Sequence, residues 1–311
     1  MISETALGSG REFDLIRALR SRWGRLAAGI GDDAALLDIP PGERLVVSTD
    51  ASIENVHFRR GWLTAEEIGY RATTAALSDL AAMAATPFAV LVALSVPEGW
   101  LTQMLTLADG IGEAVNAVGA RIVGGDLTRG GDLAICVTVL GHAQTVLSRG
   151  TARVGDAIFV TGTFGGPAAA VQALQIGGTP DTWAKARFAH PDARVREARW
   201  LAVHGASAAI DISDGLLADL NHVAHASGVR MAVKLDTLPV GVGMDAVTAA
   251  SGGEEYELAV TAPEDIEIEA FTREFGVPLS RIGVVEAGAA GVDVTYRGAR
   301  VASPAGWNHF S

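Results

Sequence analysis

Segments with the apolar pattern of a strand alternate with segments that have the pattern of a helix, and this alternation limits the chain to mixed α/β architectures. Arg44–Ser48 is short and rich in β-branched residues, as strands are, whereas Ile68–Leu80 carries apolar residues at helical spacing. Thr64 and Glu67 form a capping-box pattern, so we predict that this helix begins at Thr64. Phe88–Val96 is again an apolar run of strand length.

The same alternation restarts near residue 150. Ala208–Ile212 is predicted to be a strand that runs into the turn Ser213-Asp214-Gly215, with a helix after it. Between the two series lies Gln144–Arg153, a short polar stretch without periodicity. We therefore predict an N-terminal domain over residues 1–145 and a C-terminal α/β domain over residues 146–311, each close to the common domain size of about 150 residues.

Composition argues against several classes of protein. With 49% hydrophobic and 19% charged residues the chain fits a well-packed globule, and no run reaches the roughly 18 apolar residues of a membrane span. A net charge of −12 argues against a nucleic-acid partner. The single cysteine, Cys136, is predicted to be a core residue rather than a nucleophile. One thiol, and no apolar h-region at the start, favour a reducing compartment, the cytoplasm.

Any phosphate chemistry in this chain needs a source of positive charge other than a P-loop lysine. The sequence has two lysines, Lys185 and Lys234, and neither follows the G-x-x-x-x-G-K-[ST] pattern. Metal ions and arginine are the remaining candidates.

Seven aspartates lie where unpaired charge is uncommon, most of them at glycine turns or at predicted strand ends. Asp50 should terminate the first strand, and Asp126 should follow a turn made by Gly124 and Gly125. Asp79 lies in an otherwise apolar helix, where aspartate is a poor helix former. The others are Asp32, Asp33, Asp211 and Asp214.

Each of these positions also has a plain structural explanation. Asp214 or Ser213 would be the N-cap of the helix that follows, Asp50 and Asp126 would be turn residues, and Asp79 would face solvent. If the carboxylates instead converge on one cleft, a pair about 5 Å apart repels by roughly 3 kcal/mol at a dielectric of about 20, and the group must bind cations or protons. Oxygen ligands with few histidines favour several Mg²⁺ ions around a polyphosphate.

Eight segments resemble, in sequence order, the motifs of the thiamine-monophosphate kinase family, which is part of the superfamily of aminoimidazole ribonucleotide synthetase and selenophosphate synthetase. They are GIGDDAALLDIP (29–40), STDASIENVHF (48–58), LSDLAAMAATP (77–87), GGDLTRG (124–130), SRGTARVGD (148–156), AIDISDGLLADL (209–220), GGEEYEL (252–258) and GWNHF (306–310). Together they span nearly the whole chain, so they are a far more specific signal than any one glycine motif.

The resemblance implies two α/β domains with mixed sheets, in the two-domain fold of aminoimidazole ribonucleotide synthetase, and a homodimer in which the N-terminal sheets of both subunits join. It implies the reaction of ATP with thiamine monophosphate to give ADP and thiamine diphosphate. We expect direct transfer, without a covalent nucleophile or a general base, because the acceptor is already an anion.

The resemblance also assigns residues. ATP would be held by Gly125, Asp126, Arg149 and Ser213, and thiamine phosphate by His57, Glu254 and Trp307. Several Mg²⁺ ions would be bound, directly or through water, by Asp33, Ser48, Thr49, Asp50, Asp79, Asp126, Asp211 and Asp214. Without the resemblance, His57 would be a surface-loop residue and Trp307 a packing residue. Asp32 is either a further metal ligand or a turn residue.

Three positions depart from the family pattern. Glu255 stands where the family usually has aspartate, Asn55 where it commonly has glycine, and Gly166-Pro167 where relatives often have Asp-Ser.

The alternative is that this chain is another ATP-dependent synthetase of the same superfamily, one that activates an amide or formyl oxygen. Residues 1–40 contain no cysteine, which argues against a selenophosphate synthetase. A non-catalytic nucleotide-binding regulator would be expected to lack some of the acids that this chain keeps.

Overall fold

The computed structural model describes residues 10–28 and 30–302. The chain divides into two compact units. The N-terminal unit comprises residues 1–80 and 85–144, and the C-terminal unit comprises residues 81–84 and 145–311. Both have mixed sheets with helices, so the predicted α/β class is confirmed.

The N-terminal unit has a four-stranded sheet in the order β1-β4-β2-β3. Its strands are β1 (Arg44–Ile53), β2 (Thr86–Val96), β3 (Arg121–Arg129) and β4 (Ala134–Ala143), and its helices are α1 (Arg11–Trp23), α2 (Ala65–Ala82, whose last two residues fall in the other unit) and α3 (Met104–Ala117). β4 is antiparallel to β1 and β2, whereas β2 and β3 are parallel. The parallel pair is joined through α3, as a crossover connection requires.

The predicted capping box starts α2. The Thr64 amide donates to Glu67 Oε2 at 2.7 Å, and the Glu67 amide donates to Thr64 Oγ1 at 3.2 Å. α2 then packs closely on α3, because a Cβ added at Gly110 of α3 would lie 1.9 Å from the Glu66 carbonyl oxygen. Both helices cover one face of the sheet, where Val92 and Val137 are buried.

The other face of this sheet carries apolar side chains that are exposed or half-buried. On the edge strand β1, Leu45 and Val47 are 50% and 54% exposed. Half-buried residues continue the face across β4 and β2, since alternate residues of a strand share a face. This open face comprises Leu45, Val47, Thr49, Ala51, Leu91, Ala93, Cys136, Thr138 and Leu140. Cys136 is therefore a half-buried residue of this face and not a deep core residue.

Two sequence expectations about strand ends are wrong. Asp50 does not terminate β1, because β1 continues to Ile53 by pairing with β4. Asp126 does not follow a turn, because Gly124 and Gly125 lie inside β3 and pair with β2. The register between β2 and β3 shifts just before them, where Val123 is an extra residue of β3. Gly125 is needed there because its φ is 156° and a Cβ would lie 1.9 Å from the Val92 carbonyl oxygen.

The C-terminal unit has a seven-stranded sheet in the order β11-β10-β7-β9-β5-β8-β6, in which only the β7–β10 pair is parallel among the described strands. Its strands are β5 (Ala157–Thr161), β6 (Ala208–Asp211), β7 (Arg230–Lys234), β8 (Leu258–Ala262), β9 (Leu279–Glu286), β10 (Gly291–Tyr296) and β11 (Ala299–Val301). Its helices are α4 (Gly166–Gln175), α5 (Thr182–Ala189), α6 (Val195–Val203), α7 (Leu216–Ser227), α8 (Ala246–Ser251) and α9 (Ile268–Phe275).

The core of the C-terminal unit determines where its loops meet. β5 and β8 are buried along their whole length, and α7 adds Leu216, Leu220 and Val223 to the same core. The connection from β6 to α7 and the segment leading into β8 therefore lie side by side at the same end of these strands. Across both described ranges, the helices are too short or too polar to span a lipid bilayer.

Candidate functional site

In the N-terminal unit, β1 and α2 bring together one hydroxyl and two carboxylates, the β1–α2 acidic group of Ser48, Asp50 and Asp79. Ser48 Oγ donates to Asp79 Oδ2 at 2.5 Å. Asp50 lies two residues further along β1, on the same face as Ser48. Burial, together with the negative charge of Asp79, raises the pKa of Asp50 to about 6. Asp79 is half-buried, so it does not occupy a solvent-exposed helix face.

The neighbouring predicted ligands are placed differently. Thr49 points to the open face, where its hydroxyl lies 3.0 Å from Thr138 Oγ1, so its side chain is directed away from Asp50. Asp33 is exposed, and its backbone amide donates to Asp32 Oδ1 at 2.9 Å. Asp32 therefore stabilises a turn, which favours the turn role over the ligand role.

Asp126 is separated from the β1–α2 acidic group within one N-terminal unit. Asp50 pairs with Val137 of β4, which pairs with Val92 of β2, which pairs with Gly125 of β3. Three strand spacings of about 4.8 Å put the backbone of Gly125 roughly 14 Å from that of Asp50. Gly125 and Asp126 are exposed at the β3 edge of the sheet.

His57 lies in the loop after β1 and is held by the backbone. The Ile53 amide donates to His57 Nδ1 at 3.1 Å, and Arg71 Nη1 donates to the His57 carbonyl oxygen at 3.4 Å. Because Nδ1 accepts a hydrogen bond, the ring proton of the neutral imidazole lies on Nε2. His57 is half-buried and well positioned, unlike a simple surface-loop residue, and its Nε2–H is suited to donate to an anion.

The same loop explains the departure at Asn55. Its φ is 68°, in the left-handed region that favours glycine and, among other residues, asparagine. Asn55 therefore takes the conformation for which the family pattern commonly has glycine. Glu54 anchors the start of the loop, because its Oε2 accepts hydrogen bonds from Trp100 Nε1 at 2.8 Å and from the Leu133 amide at 3.4 Å.

In the C-terminal unit, the β6–α7 loop carries the second set of predicted ligands. Asp211 ends β6 and is buried, whereas Ser213 is exposed and Asp214 is half-buried. The N-cap of α7 is Gly215, which makes no side-chain cap, so neither Ser213 nor Asp214 caps the helix. Asp219, one turn into α7, holds the loop itself: its Oδ2 accepts from the amides of Ser213, Asp214 and Gly215, each at 3.1 Å.

The sequence interpretation missed Asp219 and its neighbour His222. Carboxylate and imidazole atoms of Asp214, Asp219 and His222 all lie within 4.8 Å of one another, an arrangement that would suit a metal ion. Burial, then the charges of Asp211 and Asp214, raise the pKa of Asp219 to about 7 against the opposing effect of its backbone hydrogen bonds. The spacing of three residues between 219 and 222 on a helix that follows an Asp-Gly turn was the available signal.

Arg149 lies at the opposite end of α7 from this loop. It begins a short 3₁₀ helix, and its carbonyl oxygen accepts from Ser227 Oγ, at the end of α7, at 2.7 Å. Its side chain is exposed, which leaves the guanidinium accessible to a phosphate.

Glu254 lies in a strained segment that pairs with the β6–α7 loop. Glu254 and Tyr256 have φ values of 64° and 51°, which cost a residue with a side chain about 1–2 kcal/mol each. The Glu254 amide donates to the Ser213 carbonyl oxygen at 2.7 Å, and the Tyr256 amide to that of Ile212 at 2.9 Å. These bonds place Glu254 directly beside Ser213.

Four charged side chains form a buried ion cluster behind this segment: Arg187, Arg194, Glu255 and Glu257. Arg194 Nε and Nη2 donate to the two carboxylate oxygens of Glu257 at 2.7 and 2.6 Å. Arg187 Nη2 lies 2.8 Å from Glu257 Oε1 and donates to the Glu255 carbonyl oxygen at 2.9 Å. Glu255 Oε1 accepts from the Gly165 amide at 2.5 Å.

The two glutamates of the cluster differ in protonation. Burial alone would raise the pKa of Glu257, but the hydrogen bond and charge of Arg194, with the charge of Arg187, outweigh it and lower that pKa. Burial raises the pKa of Glu255 to about 8, against the Gly165 hydrogen bond and the charge of Arg187. Glu255, whose role the sequence left open, is thus a fully buried residue.

Comparisons with known proteins first define a class. The family model for the N-terminal domain of AIR synthase related proteins matches residues 31–143 of this chain. The model for their C-terminal domain matches residues 153–294. A crystal structure of thiamine-monophosphate kinase from Stenotrophomonas maltophilia K279a is 35% identical, with a TM-score of 0.81, and covers 95% of this chain and 98% of its own. AaThiL complexed with AMPPCP and TMP is 29% identical, with a TM-score of 0.79, over 96% of this chain and 97% of its own.

Curated relatives narrow the class. Thiamine-monophosphate kinase of Salmonella typhimurium is 35% identical over 97% of this chain and 96% of its own length, and that of Bacillus subtilis is 31% identical over 96% and 99%. The chain belongs to the thiamine-monophosphate kinase family. The hydrogenase maturation protein HypE, in complex with ATP, is 22% identical with a TM-score of 0.79, which shows a shared fold only. Trp307 lies outside the described residues.

Removal of the Asp219 carboxylate should loosen the β6–α7 loop. In Asp219→Ala, three amides lose their acceptor, so we expect the free energy of unfolding to fall by about 1–3 kcal/mol. Hydrogen–deuterium exchange of residues 213–215 should rise. Asp219→Asn keeps an acceptor oxygen and should recover most of the protection, and Asp265→Ala in an exposed turn is the control. Unchanged exchange in Asp219→Ala would show that Asp219 does not hold the loop.

Proposed function

We propose that this protein is an ATP-dependent kinase that phosphorylates thiamine monophosphate to thiamine diphosphate, the last step of thiamine diphosphate synthesis. The observation that carries the proposal is the 35% identity with a thiamine-monophosphate kinase over 97% of this chain. The acidic residues of the motifs within that span are all present. The geometry of the described residues is compatible with this activity in each unit.

Mg²⁺ is the metal that these sites would take. The donors of the β1–α2 acidic group are all hard oxygen atoms, which Mg²⁺ prefers. Burial, and then the charge of Asp79, raise the pKa of Asp50, and a bound cation would stabilise its ionised form. Asp211 and Asp214 would supply further oxygen ligands in the C-terminal unit, and Asp33 and Asp126 would complete the proposed set in the N-terminal unit. Bound Mg²⁺ would neutralise phosphate oxygens as negative charge redistributes during transfer.

The nucleotide would lie along β3. Gly125 has no side chain and is exposed, so a phosphate can approach the backbone closely there, beside Asp126. Three residues beyond Asp126 along β3, roughly 10 Å away, Arg129 lines a cavity of about 260 Å³. Leu127 and Leu101 line the same cavity, whose partly apolar walls suit the adenosine end of ATP. In the C-terminal unit, Arg149 and Ser213 are each proposed to bind phosphate oxygens.

His57 and Glu254 are proposed to position thiamine monophosphate. Because the Ile53 amide donates to His57 Nδ1, the proton of the neutral ring lies on Nε2, which would donate to the substrate phosphate. Glu254, which retains partial solvent exposure, would bind the cationic part of the substrate. The acceptor oxygen is already anionic, so we propose in-line transfer that depends on orientation and charge neutralisation, with no general base and no phosphoenzyme. Trp307 would stack on a ring of the substrate.

A homodimer would explain two features of the N-terminal unit. The open face of its sheet carries exposed Leu45 and Val47 on a strand edge, which a second sheet would cover. Asp126 and Asp50 lie at opposite edges of one sheet. This separation within one sheet leads us to propose a site shared between copies, with Asp126 from one copy and the β1–α2 acidic group from the other. We keep the cytoplasm as the proposed compartment.

The activity assay includes a matched pair of variants. With ATP, Mg²⁺ and thiamine monophosphate, the wild type should form thiamine diphosphate. Asp126→Asn should lower kcat more than 100-fold, because a charged oxygen ligand is lost while the shape is kept. Asp132→Asn, in the exposed loop after β3, should stay within about twofold. Wild-type protein that forms no thiamine diphosphate but turns over an amide or formyl substrate would replace the proposal with the synthetase alternative.

Subunit complementation tests the shared site. Asp50→Asn and Asp126→Asn chains with different tags are co-expressed, and the hybrid is purified. If each site combines Asp50 of one copy with Asp126 of the other, one of its two sites is intact and about half the wild-type activity returns. The two variants purified singly should stay inactive. A hybrid as inactive as its parents would contradict the shared site.

A further inference from the structure

The segment from Gly253 to Glu257 has a conformation that its own residues do not favour. Glu254 and Tyr256 are both left-handed, although neither is glycine or asparagine, and the residue between them is fully buried. Side chains in this conformation persist only where their surroundings leave no alternative. Strained backbone of this kind clusters at functional sites, where the surrounding contacts maintain it.

Contacts with the β6–α7 loop constrain one side of the segment. The Glu254 and Tyr256 amides donate to Ser213 and Ile212, and the Ile212 amide donates to the Glu257 carbonyl oxygen at 2.8 Å. Gly253 lies so close that an added Cβ would be 2.4 Å from the Ser213 carbonyl oxygen. These bonds fix the backbone path on that side.

The buried ion cluster constrains the opposite side. Arg187 donates through Nη2 to the Glu255 carbonyl oxygen, which belongs to the peptide between the two strained residues. The same nitrogen contacts Glu257 Oε1 at 2.8 Å, and Glu255 Oε1 accepts from the Gly165 amide. Arg187, in α5, therefore binds both a main-chain group, the Glu255 carbonyl oxygen, and a side-chain group, the Glu257 carboxylate. Its side chain is 13% exposed and those of Glu255 and Glu257 are 0% and 1% exposed.

We infer that Arg187 and Glu255 are positioning residues, which hold Glu254 in its left-handed conformation so that its carboxylate meets the substrate. This inference rests on the proposed function, because it needs Glu254 to contact thiamine monophosphate. Neither residue touches the substrate. Both act through the backbone of residues 254–256, and the hydrogen bond to Gly165 rather than a net charge is the essential contribution of Glu255.

The test compares Glu255→Ala with Glu255→Gln. Alanine removes the acceptor for the Gly165 amide, whereas glutamine keeps an acceptor oxygen at the same length. We expect Glu255→Ala to raise the KM for thiamine monophosphate about tenfold, with the KM for ATP within about twofold, and Glu255→Gln to stay within about threefold of wild type. Amide exchange of residues 253–257 should rise in Glu255→Ala alone. Glu264→Gln, which loses an exposed ion pair with Arg281, is the control.

A double-mutant cycle separates positioning from general stability. If Glu255 acts through Glu254, then Glu255→Ala should have no further effect on KM in a Glu254→Gln background. If Glu255→Ala fails to fold, Arg187→Lys replaces it, since lysine keeps the charge but loses the planar guanidinium whose Nη2 contacts both partners.

The outcomes are distinct. Additive effects in the cycle, equal changes in both KM values, or unchanged exchange at residues 253–257 would each overturn the inference. Wild-type protein without thiamine diphosphate formation would instead refute the proposed function. In that case raised exchange in the alanine variant, with recovery in the glutamine variant, would still support the constraint on the segment.

Discussion

Burial of carboxylates close to one another is the constraint on which this structure depends. Asp50 and Asp79 are half-buried together, and Asp219 is buried near Asp211 and Asp214. The pKa values of Asp50 and Asp219 are raised, so ionisation of these two groups costs free energy when no cation is bound. Natural folds do not keep such groups without a compensating function. Binding of magnesium and polyphosphate would supply that compensation, and it is the core of the proposed kinase activity.

Each unit holds its acids with different means. In the N-terminal unit, a strand and a helix face each other, and the Ser48 hydroxyl donates to Asp79. In the C-terminal unit, the loop is fixed by three amides that converge on Asp219, and from the opposite side by the segment that carries Glu254. In the C-terminal unit, backbone amides and carbonyl oxygens therefore supply most of the bonds that fix the loop.

Local patterns predicted much of this fold, and tertiary contacts decided the rest. The capping box at Thr64 and the α/β alternation depend on neighbouring residues and were confirmed. The ends of β1 and β3 depend on pairing with β4 and β2, which no local pattern reveals, so the turns expected at Asp50 and Asp126 were wrong. Asp219 was missed because an aspartate one turn inside a helix resembles a surface residue. The partners of Glu257, Arg187 and Arg194, lie more than 60 residues away in sequence.

Metal stoichiometry is the most direct test of the central claim that these acids bind magnesium around a nucleotide. Mn²⁺, as a paramagnetic substitute, can be counted by electron paramagnetic resonance with the wild type and a non-hydrolysable ATP analogue. The account predicts that at least two Mn²⁺ ions bind per chain only when nucleotide is present, and that Asp50→Asn and Asp214→Asn each lower that number. Binding of one ion or none, or full occupancy in both variants, would contradict it.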